Sequence, residues 1–143
     1  MQVVGHMING SQFQGQGDRT QDVFNPATGA VTKQVALASK NTVEEAIAAA
    51  QAAFPAWRNT PPMKRARVMF RFKQLLEENA EQICRLITDE HGKVLDDAMG
   101  ELTRGIEVVE YACGGPELLK GEHSKNVGPA IDSWSEFQAL GVV

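Results

Sequence analysis

The sequence predicts an α/β chain with a β-hairpin near its start, three amphipathic helices in its middle and strand character at its end. Three observations lead to this prediction. The first forty of the 143 residues combine turn-forming residues with short apolar runs, which is typical of strands. From residue 42 onwards, apolar residues recur every three or four positions, which is the spacing of an amphipathic helix. Residues 131–143 return to strand character.

The strongest local signal is the hairpin in residues 23–35, where an Asn-Pro-Ala-Thr-Gly turn separates two apolar segments. Asn25 can accept a hydrogen bond from the backbone two residues further on, and Pro26 presets the turn dihedral. Gly29 tolerates the positive φ that a bulged hairpin exit needs.

Weaker signals surround this hairpin. Residues 7–10 predict a short strand that runs into a turn, and residues 15–18 predict a flexible loop. Val31, Val35 and Leu37 share one parity, so one face of the second hairpin strand is expected to be buried.

The first helix is predicted to begin at Thr42, because Glu45 follows three residues later and completes a capping box. Pro55 is expected to end or kink this helix. Its apolar face consists of Val43, Ala46, Ile47, Ala50 and Phe54.

The second helix is predicted to begin after Thr60, with Pro61 and Pro62 in the first turn, where a missing N–H group costs nothing. It is expected to run without a break to His91 and Gly92. Its apolar face consists of Met69, Phe72, Leu76, Ala80, Ile83 and Ile87.

The third helix is predicted to end at Gly114, and Pro116 opens one or two further turns that close at Gly121. Strand character returns around Trp134, Phe137 and Leu140. The apolar face of the third helix consists of Val94, Ala98, Leu102, Ile106, Val109 and Cys113.

Composition excludes several classes of function. A net charge of −4 argues against a general nucleic-acid-binding protein, which is usually basic. The apolar runs are far shorter than the roughly 20 residues of a membrane span. No basic segment followed by an apolar one marks a signal peptide. We therefore expect a cytoplasmic protein, or one of the mitochondrial matrix if the source is a eukaryote, without nucleic-acid or membrane partners.

The cysteines and histidines predict no catalytic or metal site. Cys84 lies in the middle of a predicted helix and Cys113 on an apolar helix face, so both are expected to be packing residues. His6, His91 and His123 are isolated from one another and from cysteine pairs, which excludes the usual metal-ligand spacings. His91 suits a helix C-terminus, and the other two are expected at the surface.

The second helix begins with a cluster of basic residues and continues with acidic ones. A solvated face with local ion pairs explains this pattern better than a nucleic-acid patch, because no interleaved aromatic platform is present. The basic residues are Lys64, Arg65, Arg67, Arg71 and Lys73, and the acidic ones are Glu77, Glu78 and Glu81. Glycine-containing segments that do not form a phosphate-binding loop are Gly10-Ser11, Gly15-x-Gly17 and Gly114-Gly115.

Arg104 is the candidate binding residue of the chain. Spacing alone favours an exposed arginine paired with Glu101 and Glu107, three residues to either side. Gly100 and Gly105 raise the alternative of a ligand site, because small residues let a ligand or another backbone come close. The planar guanidinium also suits a carboxylate better than a lysine would.

Longer motifs resemble one family. The hairpin with the preceding Ile8-Asn9-Gly10 resembles the first hairpin of the aldehyde dehydrogenase superfamily. The stretch Arg104-Gly-Ile-Glu-Val-Val-Glu-Tyr-Ala-Cys-Gly-Gly-Pro-Glu-Leu-Leu-Lys-Gly, followed by Ser124-Lys-Asn-Val, resembles the CoA-acylating methylmalonate-semialdehyde dehydrogenase branch. Arg65-Ala-Arg-Val-Met-Phe-Arg-Phe-Lys-Gln-Leu-Leu and Ile87-Thr-Asp-Glu-His-Gly-Lys add to the resemblance. It covers essentially the whole chain but only the first part of the family's length.

The resemblance implies an NAD-dependent enzyme of valine catabolism that oxidises methylmalonate or malonate semialdehyde. A cysteine thiolate forms the thioester, and loss of the carboxylate and transfer to CoA yield propionyl-CoA or acetyl-CoA. The substrate carries a carboxylate, and the family places a carboxylate-binding arginine at the position of Arg104. The family also implies assembly into homo-oligomers, including homotetramers.

The resemblance further implies that residues 1–129 are a partial dinucleotide-binding domain and that residues 130–143 start the oligomerisation ribbon. The catalytic domain, its cysteine and the parallel sheet are missing, so we expect the chain alone to be inactive and to bind neither NAD nor CoA. Two alternatives remain open, namely a small non-catalytic helical interaction module and one half of a split dehydrogenase. The sequence does not decide between them or between the two semialdehydes.

Overall fold

The computed structural model describes residues 1–13 and 19–143. The loop predicted at residues 15–18 lies outside the described residues. No helix among the described residues is long and apolar enough to cross a membrane. The strands are β1 (Val3–Val4), β2 (His6–Ile8), β3 (Ser11–Phe13), β4 (Thr20–Phe24), β5 (Val31–Ala36), β6 (His123–Gly128) and β7 (Ile131–Trp134). The helices are α1 (Lys40–Arg58), α2 (Pro62–Glu78), α3 (Ala80–His91), α4 (Leu95–Cys113) and α5 (Gly115–Leu118).

The predicted hairpin is confirmed as the antiparallel pair β4–β5, and β1 adds to β5 in parallel. The Asn25 side-chain oxygen accepts hydrogen bonds from the backbone N–H groups of Ala27 at 2.9 Å and Thr28 at 3.2 Å. Gly29 has a φ of 71°, as the turn requires. The register of β4 and β5 shifts between Val23 and Phe24, which is the expected bulge.

The burial predicted for β5 is wrong. Val31 is exposed, Val35 and Leu37 are half-buried, and the one buried residue of the strand is Ala36, which has the opposite parity. Parity predicts burial only where a second layer covers one face of a sheet. The pattern of burial in β5 therefore indicates that the described residues do not form a complete layer over its valine face.

The N-cap of helix α1 lies three residues earlier than predicted. Its N-cap is Ser39, whose hydroxyl oxygen accepts a hydrogen bond from the Thr42 backbone N–H at 3.1 Å. Thr42 is not the cap but a buried residue of the first turn, and its hydroxyl lies 2.9 Å from that of Ser39. The helix continues through Pro55 and ends at Arg58. Serine and threonine are both favoured at N-caps, so the residue types alone did not distinguish Ser39 from Thr42 as the cap.

The long second helix predicted from the sequence is two helices, α2 and α3. Asn79 separates them with a φ of −110°, and its side-chain amide donates a hydrogen bond to the carbonyl of Leu75 at 2.8 Å. An asparagine that bonds to the preceding turn competes with helix continuation. The C-terminal end is as predicted, because Gly92 ends α3 with a φ of 84°.

Helices α2, α3 and α4 pack together, while α1 lies against β2. The core between α3 and α4 consists of Cys84, Ala98 and Leu102. The surface of the chain is 10929 Å², whereas a compact protein of this mass exposes about 7,300 Å². Much of the predicted apolar helix surface is therefore open to solvent. Examples are Val43, Ile47 and Phe72.

Strands β6 and β7 form an antiparallel ribbon that lies outside the helices, and most of its residues are exposed. Strand β6 was not predicted, and the strand character expected over residues 135–143 is wrong, since those residues form no strand. The ribbon spans both sides of residue 130, and the domain division there stays a prediction.

Two hydrogen bonds join the residues that flank this ribbon, Glu122 and Ser135. The Ser135 N–H donates to the Glu122 carbonyl at 2.9 Å, and the Glu122 N–H donates to the Ser135 hydroxyl oxygen at 2.9 Å. A Cβ atom at Gly121 would lie 1.8 Å from the Ser135 carbonyl oxygen, so only glycine fits at this position.

Candidate functional site

Helix α4 presents two different faces. The inner face carries Ala98, Leu102 and Cys113, which are all buried against the neighbouring helices. The outer face is defined by positions four, four and three residues apart, which lie above one another on a helix. Its residues are Gly100, Arg104, Val108 and Tyr111.

Arg104 extends from this outer face into solvent, with 81% of its side chain exposed. Its Nη1 atom lies 2.8 Å from Glu107 Oε2. The pairing predicted with Glu101 is wrong, because Glu101 instead accepts a hydrogen bond from Lys93 at 2.5 Å. A guanidinium has five N–H donors, and the bond to Glu107 uses Nη1. Arg104 is therefore placed to bind a further acceptor.

The pairing of Glu101 with Lys93 shapes the charge around Arg104. The hydrogen bond from Lys93 lowers the pKa of the Glu101 carboxyl, and the charges of Lys93 and His91 add to this effect. The carboxylate of Glu101 thus stays ionised at neutral pH but is already engaged. Glu107 is the one carboxylate that the described residues bring to Arg104.

Two glycines, Gly100 and Gly105, lie inside α4 near Arg104. A Cβ atom built at Gly100 or at Gly105 would meet no atom within 4 Å. Glycine inside a helix costs about 0.5–1 kcal/mol relative to alanine, so an open position would normally favour alanine. Nothing in the described part of the chain requires glycine here. A requirement for glycine would arise from a ligand or another segment that approaches the outer face.

Large apolar side chains lie on the same outer face. Val108 and Tyr111 are each 70% exposed, one and two turns after Arg104. Exposed apolar side chains that cluster in this way mark a surface made for contact. The outer face thus combines an available guanidinium, an open glycine position at Gly100 and two exposed apolar side chains.

The cysteines are packing residues, as predicted. Both are free and buried, and Cys84 is 2% exposed within the helical core. A reactive thiolate needs access and a nearby positive charge or base, and a buried apolar site supplies neither. The expectation that His6 lies at the surface is wrong, since it is half-buried in β2 and its Nε2 atom has no hydrogen-bond partner among the described residues. His123 is exposed, and His91 lies in the last turn of α3.

Only some of the basic residues at the start of α2 form ion pairs with residues nearby. Lys73 bonds to Glu77 at 2.5 Å and to Glu110 of α4 at 3.2 Å, and the hydrogen bonds to these two carboxylates raise the pKa of Lys73. Arg71 lies 3.7 Å from Glu78. Arg65 makes no ion pair with the described residues, and its buried Nε atom lacks a partner. No sequence pattern distinguishes Arg65 from the neighbouring basic residues.

The described residues do not provide a site for a dinucleotide or a metal. The Gly114-Gly115 pair opens only the four-residue helix α5 and does not follow a strand, so it lacks the arrangement that cradles a pyrophosphate. No three potential metal ligands lie together in residues 1–13 and 19–143.

Known proteins match the chain along its whole length. Residues 13–143 match the aldehyde dehydrogenase family. The chain is 61% identical over 143 residues to malonate-semialdehyde dehydrogenase of Pseudomonas aeruginosa. It is 42% identical over 139 residues to the mitochondrial acylating methylmalonate-semialdehyde dehydrogenase of Arabidopsis thaliana. The alignment covers 100% of the chain but 29% of the Pseudomonas protein.

Solved structures agree with these relatives. The crystal structure of methylmalonate-semialdehyde dehydrogenase from Oceanimonas doudoroffii matches with a TM-score of 0.93 and 70% identity, covering 96% of this chain and 28% of that one. A protein of Sinorhizobium meliloti that carries the same designation, solved with NAD, matches with a TM-score of 0.95 and 43% identity, covering 99% and 29%. The α/β arrangement expected from the sequence is thus confirmed, and the chain belongs to the aldehyde dehydrogenase family.

Proposed function

We propose that this chain forms the N-terminal part of an NAD-dependent, CoA-acylating dehydrogenase. The complete enzyme oxidises malonate or methylmalonate semialdehyde to acetyl-CoA or propionyl-CoA, with loss of the carboxylate. The observation that carries this proposal is the 61% identity to a malonate-semialdehyde dehydrogenase over the whole chain.

Arg104 binds the carboxylate of the semialdehyde in this proposal. Its guanidinium projects from a face where Gly100, one turn earlier in the helix, leaves room for a close approach. A fork of N–H donors matches the two oxygens of a carboxylate and distinguishes this substrate from a simple aldehyde. Glu107, the present partner of Arg104, would compete with the substrate or turn aside.

The chain by itself is inactive in this proposal, because its two thiols are buried and its described residues offer no nucleotide cradle. NAD and CoA bind to the complete enzyme, which acts as a homo-oligomer in the cytoplasm or the mitochondrial matrix. The exposed ribbon β6–β7 suits a contact between subunits, since both of its strands present unpaired edges.

The exposed area favours this proposal over a self-contained helical module. A surface of 10929 Å² is about one and a half times the area expected for a compact protein of this mass. A module with its own complete core would not leave this much of its helices open. The chain is therefore better explained as part of a larger fold, formed either by one polypeptide or by two.

A hybrid enzyme tests this proposal directly. We would replace the matching N-terminal region of the Pseudomonas aeruginosa relative with residues 1–143 of this chain and follow NADH formation from malonate semialdehyde, NAD and CoA. The hybrid should be active, and the chain alone should form no NADH. Arg104→Gln in the hybrid should lower kcat/KM for malonate semialdehyde at least about tenfold, because charged hydrogen bonds contribute about 1.5–3 kcal/mol.

Propanal, which lacks the carboxylate, provides the substrate control, and its kcat/KM should change little in the Arg104→Gln hybrid. Arg85→Gln is the matched control variant, because Arg85 is also an exposed helix arginine paired with one glutamate, at 2.6 Å. Equal losses on both substrates, or equal losses for both variants, would contradict a carboxylate-binding role for Arg104. NADH formation by the chain alone would contradict its proposed inactivity.

A further inference from the structure

Two neighbouring clefts meet at Arg65, where α1 ends and α2 begins. The larger cleft has a volume of about 350 Å³ and lies between this corner and residues 136–139 of the C-terminal segment. The smaller cleft has a volume of about 190 Å³ and lies between α2, α4 and α5. Pro62, Arg65 and Leu119 line both clefts, so the two are continuous at Arg65.

The larger cleft carries two positive charges without partners. Arg58 and Arg65 both line it, and neither makes an ion pair or a side-chain hydrogen bond with the described residues. The Arg65 Nε atom is buried and lacks an acceptor, which is costly for a strong donor. An acceptor that entered the cleft would remove this cost.

The one carboxylate lining this cleft does not supply that acceptor. Glu136 accepts a hydrogen bond from its neighbour Gln138 at 2.9 Å and forms no ion pair with either arginine. Its negative charge lowers the affinity of the cleft for a dianion more than for a monoanion. The cleft therefore suits a group with a single negative charge.

The smaller cleft is apolar. Its volume exceeds that of the ~150 Å³ cavity that accommodates benzene in another protein. A chain of a few methylene groups can therefore enter it while an attached carboxylate remains beside Arg65. The apolar wall is formed by Trp57, Ala66, Met69, Ala112, Pro116 and Leu119.

We propose that these joined clefts form a binding site for a small amphipathic monocarboxylate. Its carboxylate accepts hydrogen bonds from Arg65 and Arg58, and its aliphatic part lies in the apolar cleft beside Trp57. This inference does not rest on the proposed dehydrogenase activity, since it uses only residues of this chain.

Tryptophan fluorescence of the 143-residue chain tests the proposal, with hexanoate as the probe. Trp134→Phe leaves Trp57 as the single tryptophan, because the chain contains two. In this background hexanoate should change the emission of Trp57 saturably. Hexanol tests the charge, and inorganic phosphate tests the aliphatic part, so both should bind at least about tenfold more weakly.

Arg65→Gln should weaken hexanoate binding at least about tenfold. Arg67→Gln is the matched control, because it removes the same charge two residues away from a side chain that lines neither cleft. Arg58→Gln and Ala112→Leu, which fills the apolar cleft, should also weaken binding, and circular dichroism checks the fold of each variant. If Arg65→Gln fails to fold, these two variants decide the question.

Four results would overturn the site. They are a lack of saturable binding of hexanoate, equal binding of hexanol, equal binding of phosphate, and equal effects of Arg65→Gln and Arg67→Gln. The first removes the site altogether, the second removes the anion contact, the third removes the aliphatic contact, and the fourth reduces the effect to unspecific charge.

Discussion

The two faces of α4 differ in what determines their residues. On the inner face, Ala98 has no exposed surface and Leu102 is 8% exposed, and the side chains of α3 account for both. On the outer face, Val108 and Tyr111 are each 70% exposed, and nothing in the described chain accounts for them. The inner face is thus explained by the folding of this chain, while no described residue covers the outer face.

The largest expected difference between the faces lies in stability. Leu102→Ala should lower the free energy of unfolding by about 2–5 kcal/mol, because it leaves a cavity in the small core. Val108→Ala, its counterpart on the outer face, should change this free energy by no more than about 0.5 kcal/mol. Urea denaturation followed by circular dichroism measures both, and equal losses would show that the faces do not differ in the isolated chain.

The two glycines inside α4 provide a sharper test. Gly100→Ala and Gly105→Ala should each stabilise the isolated chain by about 0.5–1 kcal/mol, because alanine is the better helix former and its Cβ meets no atom. In the hybrid enzyme the same substitutions should lower activity toward malonate semialdehyde. Alanine variants that stabilise the chain and leave the hybrid fully active would show that nothing approaches these positions closely.

The smallest expected effect concerns pH. The hydrogen bond from Lys93 lowers the pKa of Glu101 in the folded chain, so this pair stabilises the fold above the unfolded-state pKa of about 4.3. That contribution is lost as the pH falls through the lowered pKa of the folded chain. Carboxyl-carbon NMR titration should give a lower midpoint for Glu101 than for an exposed reference glutamate. Lys93→Met should reduce the difference, since Lys93 is the main cause of the lowered pKa, and an unchanged midpoint in that variant would exclude Lys93 as the cause.

The sequence predicted the elements whose signals are local. Asn25, Pro26 and Gly29 form their turn through contacts within a few residues, so the hairpin was predictable. The break at Asn79 was missed because neither glycine nor proline marks it, although an asparagine within a helical pattern was an available signal.

The remaining errors concern surfaces that other chain segments must cover. The apolar residues after Ser135 suggested a strand, but a strand needs a neighbour, and the described chain offers none there. Strand β6 escaped notice because both of its faces are exposed, which removes the alternation that marks a half-buried strand. The pairing of Lys93 with Glu101 is a tertiary contact, so helix spacing alone assigned Glu101 to Arg104.

Gly121 lies in close contact with Ser135, and this contact makes the base of the ribbon rigid, although most of the ribbon is exposed. A rigid base fixes the direction in which β6 and β7 leave the helices before anything docks on them. Any side chain at position 121 would push the ribbon away from that direction and leave the helical core untouched. Gly121→Ala therefore separates folding from assembly, since it should yield a normally folded chain whose ribbon points the wrong way.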